Sequence, residues 1–194
     1  MFVRLLAGIA FFVALAHCES YDTLVTKDQT CQAKWADVEA QLQRRADLTP
    51  NLVAVVRGSA KHEEQTLEQV TQARAAVTSI TLKAEDLEDP EKMASFAKAQ
   101  DDLKGALSRL LVVQEAYPDL KANAAFHDLQ IQLEGTENRL LRAREEYNAA
   151  VGDYNAELGH VRGKVVNRAT GRTFKPRAYF SAAPGAAAAP TVSF

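Results

Sequence analysis

The fold is decided by residues 126–158, which read FHDLQIQLEGTENRLLRAREEYNAAVGDYNAEL. Apolar or small side chains recur in this stretch at steps of three and four residues. This spacing places them along one face of an α-helix, where they form a stripe that can be buried. The stripe consists of Phe126, Leu129, Leu133, Thr136, Leu140, Ala143, Tyr147, Val151, Tyr154 and Leu158. A helix of this length with one apolar face predicts a helical bundle.

Three more stretches carry the same spacing, over Leu24–Leu42, Val53–Ile80 and Met93–Tyr117. Proline disfavours helical geometry in the residue before it, so we expect helices to end just before Pro50 and Pro118. Short turns at these prolines make neighbouring helices antiparallel. The sequence therefore predicts an all-α fold, an antiparallel up-and-down four-helix bundle with long helices and an irregular C-terminal tail. The predicted helices run from about Asp22 to Leu48, Asn51 to Leu82, Pro90 to Tyr117, and from between Asp119 and Asn123 to Leu158.

Residue depths in such a bundle can be compared by counting back from the two proline turns. This count places Trp35, Gly105 and Gly135 at similar heights. Glycine inside a helix costs about 1 kcal/mol relative to alanine, so its presence there needs a reason. We expect the large Trp35 ring to pack where Gly105 or Gly135 leaves room.

Charge is distributed unevenly along the chain, although the net charge is only −2. All 25 acidic residues lie at or before Glu157, which leaves the helical body at about −9 without the leader. The tail carries six basic residues, Arg162, Lys164, Arg168, Arg172, Lys175 and Arg177. Two roles stay open for them, contact with an anionic membrane or intramolecular contact with the acidic segment 85–91.

The N-terminus is typical of an export leader. Arg4 precedes an apolar run from Leu5 to Ala16, which is too short for a membrane-spanning helix to be the preferred interpretation. The sequence Leu15-Ala16-His17-Cys18 approximates a lipobox, so we expect Cys18 to be the lipid anchor. Cleavage after Ala14-Leu15-Ala16 without lipidation, or an uncleaved anchor, are the alternatives.

The residue types required for catalysis or metal binding do not cluster. His17, His62, His127 and His160 are scattered, and His62-Glu63-Glu64 lacks the second histidine of a helical zinc motif. Neither a phosphate-binding glycine loop nor a nucleophile elbow is present. Cys31 lies on an apolar stripe, where a thiol acts as a small hydrophobe, and a Cys18–Cys31 disulfide is the minor alternative. We expect no enzyme activity, cofactor or metal, and the acidic, exported body argues against nucleic acid.

Polar residues concentrate at the two proline turns. In the predicted bundle these turns share the tip that points away from the N-terminal anchor. Either the polar side chains cap and pair the turns, or they bind a partner protein. The candidates for partner binding are Arg44, Arg45, Asp47, Asn51, Asp119 and Asn123.

The chain resembles the LemA family, and five stretches carry the resemblance. These are LQRRADLTPNLV at 42–53, EAYPDLKAN at 115–123, LEGTENR at 133–139, Arg144 with Tyr147-Asn148, Val151 and Tyr154-Asn155, and FKPRAYF at 174–180. The resemblance implies an exported, membrane-attached bacterial protein with a helical bundle and no established enzymatic activity. The chain departs from the family pattern at His17, at Thr49, and between His160 and Arg172, where relatives are more apolar.

We therefore divide the chain into a leader (1–17), a LemA-like helical bundle (18–159) and a basic, partly disordered tail (160–194). The expected function is that of a non-enzymatic scaffold or adaptor, tethered to the membrane of the bacterial cell envelope and active in membrane organisation. Its expected partners are the membrane, through the N-terminal anchor, and an envelope protein. A regulatory subunit of an envelope protease or transporter is the alternative function, and the oligomeric state stays open.

Overall fold

A computed structural model describes residues 2–60, 63–160, 163 and 174–181, with side chains described from Tyr21 onward. Within these residues the regular structure is entirely helical, which confirms the all-α prediction. The α-helices are α1 (Phe2–Ser59), α2 (Glu64–Thr78), α3 (Pro90–Val112), α4 (Pro118–Lys121) and α5 (Ala124–Gly159), with 3-10 turns at Ala84–Glu88 and Val113–Ala116. None of the described helices is both long enough and apolar enough to cross a bilayer.

The two longest helices, α1 and α5, pack against each other in opposite directions. Lys34 Nζ lies 2.6 Å from Glu146 Oε2, and Arg45 Nη1 lies 2.9 Å from Glu137 Oε1. Residue numbers thus rise along α1 while they fall along α5. Leu24 and Leu158 belong to the same hydrophobic cluster, so the start of the α1 stripe lies beside the end of the α5 stripe, as the sequence predicts.

Side-chain caps mark the starts of α3 and α5. Asp89 accepts hydrogen bonds from the backbone N–H groups of Glu91 and Lys92, and Pro90 occupies the first turn of α3 as predicted. Asn123 accepts from Ala125 and Phe126 and caps α5 in the same way. Helix α3 ends earlier than predicted, at Val112, because a 3-10 turn leads into Tyr117.

The predicted turn at Pro50 is wrong, because α1 continues through Pro50 to Ser59. A proline inside a helix has no N–H for the carbonyl four residues earlier, which here belongs to Ala46. Arg74 of α2 supplies the missing donor, with its Nε 2.9 Å from Ala46 O. The chain therefore reverses after Ala60 instead, and the predicted second helix is divided between the end of α1 and α2.

Two apolar clusters fill the interior, separated by a polar layer. The proximal core lies at the end that contains Leu24, Met93 and Leu158, and the distal core contains Leu52, Leu67, Leu110 and Phe126. Between them along α1 lie the buried side chains of Arg45 and Thr49. The opposing helices contribute buried Gln100 and Thr136 to the polar layer.

The predicted contact between Trp35 and a helical glycine is also wrong. The Trp35 ring centroid lies 5.1 Å from that of Tyr147, 5.7 Å from that of Phe180 and 6.0 Å from that of Phe96. A Cβ atom at Gly105 or Gly135 would meet a guanidinium of its own helix instead. The depth count began at a turn that α1 does not make, which shifted the predicted layers.

The contact between Arg74 and Ala46 predicts a coupled effect on stability. Replacing Arg74 with Met leaves a partly buried carbonyl without its donor, so we expect the free energy of unfolding to fall by about 1 to 2 kcal/mol. In a Pro50→Ala background the restored N–H satisfies Ala46 O, and the same replacement should cost much less. Urea denaturation of the four proteins of this double-mutant cycle measures the coupling. Equal losses in both backgrounds would contradict the compensation, and Arg44→Met on the exposed face of α1 is the control.

Candidate functional site, a C-terminal clasp on the helices

Residues 174–180, which we call the clasp, run along α1 and α5 without regular secondary structure. Phe174, Arg177, Ala178 and Phe180 are each at least 90% buried. Phe180 packs on Trp35, and Phe174 contacts Tyr21 edge to face at 6.0 Å between ring centroids. The clasp thus covers the part of α1 that begins at Tyr21, the first residue whose side chain is described, shortly after the predicted leader.

Two asparagines of α5 each bind one clasp residue through both backbone groups. Asn155 accepts from Arg177 N at 2.9 Å and donates to Arg177 O at 2.9 Å. Asn148 makes the same pair of bonds with Phe180, at 2.9 and 3.0 Å. Because the side-chain amide pairs with the backbone, these bonds do not depend on which side chain the clasp residue carries.

The tyrosine that precedes each asparagine also donates a hydrogen bond to the clasp backbone. Tyr154 donates to Lys175 O at 3.1 Å, and Tyr147 donates to Ala178 O at 3.0 Å. Seven residues of helix rise about 10.5 Å, and three residues of extended chain span about 10 Å. A Tyr-Asn pair repeated after one heptad therefore matches an extended segment in steps of three residues.

A largely buried ion pair joins the middle of the clasp to α1. Arg177 donates through Nε and Nη2 to Asp28 Oδ1 of α1, at 2.9 and 2.7 Å, and both side chains are largely buried. Arg177 Nη1 is buried and has no hydrogen-bond partner in the described part of the chain. The second ion pair, Lys175 with Glu88 at 3.4 Å, lies nearer the surface and contributes less.

Burial raises the pKa values of two phenols and one thiol in the groove, so these groups keep their protons near neutral pH. Burial raises the pKa of the Tyr154 phenol to about 12 and raises that of Tyr147 further, so both remain hydrogen-bond donors. Burial also raises the pKa of the Cys31 thiol from 9.0 to about 11, although the positive charge of Arg177 opposes this effect. Cys31 is a free, buried thiol, as expected from its place on the apolar stripe.

A second polar cluster surrounds Arg45, whose side chain is only 2% exposed. Its Nη1 donates to Glu137 and its Nη2 donates to the side-chain oxygen of Gln100. Its Nε has no hydrogen-bond partner among the described residues. Arg45 therefore holds α1, α3 and α5 together, and burial removes it from the exposed partner-binding surface that the sequence suggested.

The other predicted partner-binding residues do not form one tip. Because α1 passes through Pro50, Arg44, Asp47 and Asn51 lie exposed within a continuous helix. Asp119 is exposed on α4, and Asn123 caps α5. Their role in partner binding stays a prediction.

The predicted tail contacts are met in part. Lys175 and Arg177 form intramolecular ion pairs, but Arg177 reaches α1 and not the acidic segment 85–91. Arg162, Lys164, Arg168 and Arg172 lie outside the described residues, as does the side chain of the predicted lipid anchor, Cys18.

The described part of the chain contains no group of three metal-binding side chains. The groove formed by α1 and α5 thus binds an extended segment through the backbone of that segment and one guanidinium. The sequence signal for it is the repeated Tyr-Asn pair, of which only the tyrosines were predicted to pack in the core; both are buried, and the asparagines that bind the clasp were missed.

Replacing Asn155 with Ala should open the middle of the clasp. Two hydrogen bonds to Arg177 are lost, so we expect stability to fall by about 1 to 2 kcal/mol. Amide hydrogen exchange across residues 174–181 should become faster. Asn138→Ala, on an exposed position of the same helix, is the matched control. Unchanged exchange in the clasp would show that Asn155 does not hold it.

Alkaline pH should weaken the fold through Cys31. The unfolded thiol releases its proton near pH 9, whereas the folded thiol retains it to about pH 11. The stabilisation is therefore complete below pH 9 and is lost as pH rises towards 11. We expect the free energy of unfolding to fall by about 1 kcal/mol more in wild type than in Cys31→Ala between pH 9 and 10. Equal pH slopes in urea titrations of the two proteins would contradict this. Val38→Ala, a buried change on the same helix that keeps the thiol, is the control and should retain the wild-type slope.

Comparison with known proteins agrees with the motifs. The LemA family profile matches residues 34–194. The relatives include magnetosome proteins MamQ 1 and MamQ 2 of Paramagnetospirillum magneticum (strain ATCC 700264 / AMB-1). Each is 28% identical over 200 residues, which cover 95% of this chain and 72% of the relative. The family match spans well over half of the sequence and confirms the resemblance, so this protein belongs to the LemA family.

Proposed function

We propose that this protein is a membrane-tethered, non-enzymatic scaffold or adaptor of the bacterial cell envelope. In this proposal its long helices form an antiparallel bundle that stands on an N-terminal anchor. The observation that carries the proposal is that α1 leads from the predicted anchor residue, Cys18, into the packed body without a break in the helix. Family membership supports the proposal, as do relatives named for the magnetosome.

The start of α1 and the C-terminal clasp both contribute to the attachment in this proposal. The clasp holds α1 at Tyr21 and Asp28, just beyond the predicted anchor residue Cys18. When the anchor continues directly into a helix that the clasp holds in place, the orientation of the anchor determines that of the body. A flexible linker would not couple the two orientations in this way. The protein would then present its exposed helix faces at a fixed height and orientation above the lipid.

Electrostatics supports the same orientation. Lys175 and Arg177 are engaged within the protein, whereas the other four basic tail residues, 162, 164, 168 and 172, follow directly after α5. Basic residues close to an anionic leaflet contribute up to about 1 kcal/mol each. The acidic body would be repelled from the same surface, so attraction and repulsion together favour an upright bundle.

The proposal predicts where the full-length protein fractionates. Produced with its own leader in a bacterial host, wild-type protein should remain with membranes after a high-salt and carbonate wash. Phe11→Glu interrupts the apolar run and should move most of the protein to the soluble fraction. Ala36→Glu, on the exposed surface of α1, is the matched control.

Mass spectrometry of the mature N-terminus then identifies the kind of anchor. A lipid-sized mass increase that Cys18→Ser abolishes supports lipidation, and an intact leader supports an uncleaved anchor. Wild-type protein that is recovered in the soluble fraction with its leader removed would contradict membrane tethering.

A further inference from the structure

We propose that the groove on α1 and α5 also accepts the clasp of a second copy of this chain. In such a pair, Asp28 of one copy binds Arg177 of its neighbour. Each asparagine of the Tyr-Asn repeats forms hydrogen bonds with the clasp backbone of the other chain. The site is then completed by the partner copy. The inference goes beyond the proposed function by naming a partner, and it rests on membrane tethering only for the crowding that favours exchange.

The contacts of the clasp make this exchange possible. Its principal partners, Asp28, Asn148, Asn155 and Trp35, all belong to α1 or α5, and none lies within the clasp itself. The clasp joins the body only through residues 161–173, a length that can extend to about 45 Å. A neighbouring copy offers the same groove and the same segment, so exchange loses none of these contacts.

Local concentration decides between the two arrangements. A segment joined to its groove through a short stretch of the same chain has an effective concentration for that groove of about a millimolar. At micromolar concentrations in solution, each copy therefore binds its own clasp. Tethered copies hold their grooves at one height, beside Tyr21 and Asp28, and crowding within a membrane raises the concentration of neighbouring clasps. Exchange of identical elements is a general route to oligomers.

Gly163 favours the intramolecular arrangement. A Cβ atom at this position would lie 2.5 Å from Glu157 O and 3.0 Å from Leu158 O. The chain thus returns closely against the end of α5, and only glycine permits this approach. A side chain at position 163 should hinder the return of the clasp to its own groove, whereas a clasp that extends to a neighbour avoids this contact.

Reversal of one charge pair tests whether the groove accepts a clasp from another chain. Asp28→Arg alone and Arg177→Asp alone place like charges together within each chain, so each protein should be monomeric with an open clasp. When the two are mixed, both grooves find an opposite charge on the other chain. Sedimentation velocity should show heterodimers in the mixture only, at concentrations at which wild type is monomeric.

The double variant Asp28→Arg/Arg177→Asp is the control, because it restores the ion pair within one chain. It should be monomeric, with slow amide exchange in residues 174–181. A double variant that closes, together with a mixture that stays monomeric, would overturn the proposal. The experiment needs no membrane, so its failure is distinct from a failure of tethering.

Gly163→Val provides the second test and decides the matter if the double variant does not close. This variant should dimerise at concentrations at least tenfold lower than wild type, with the clasp still protected from exchange. Gly58→Val, at a position with open space around its Cβ, should leave the oligomeric state unchanged. A monomeric Gly163→Val protein at all concentrations would show that the clasp serves only its own chain.

Discussion

The carbonyl of Ala46 determines the architecture, because Pro50 cannot supply its hydrogen bond. Arg74 donates to it from α2, and α1 therefore stays one helix to Ser59. An uninterrupted α1 gives α5 a partner along most of its length and moves the chain reversal to Ala60. The proximal and distal cores, and the polar layer between them, follow from this pairing.

Two buried arginines hold the elements of the fold together at different levels. Arg45 joins three helices at the polar layer, and Arg177 joins the clasp to α1 at the proximal core. Each leaves one guanidinium nitrogen, Arg45 Nε or Arg177 Nη1, without a hydrogen-bond partner in the described residues, so neither is fully compensated for its burial. A charge placed out of register would lose its partner, so these contacts oppose a shift of register. The clasp is therefore held by specific polar contacts and not by apolar burial alone.

The helices could be predicted from apolar spacing, whereas the path of the chain could not. The three-and-four spacing of α1 in fact continues through Arg45, Thr49 and Leu52, which fall in step with Leu42 and Val56. Pro50 within that run predicts a turn, because the compensating donor, Arg74, is distant in sequence. Likewise the Tyr-Asn pairs were visible, but their partner lies more than 20 residues away, beyond α5. Local patterns identify elements, while contacts that satisfy buried polar atoms fix how the elements meet.

The chain has a single tryptophan, and it lies under the end of the clasp. Its indole N–H is buried without a hydrogen-bond partner in the described residues, and aromatic rings of α3, α5 and the clasp surround it. Release of Phe180 would expose the indole to water and move its fluorescence emission to longer wavelength. The protein thus contains its own optical reporter of clasp docking, which can be read on the purified protein in solution or on vesicles without any added label.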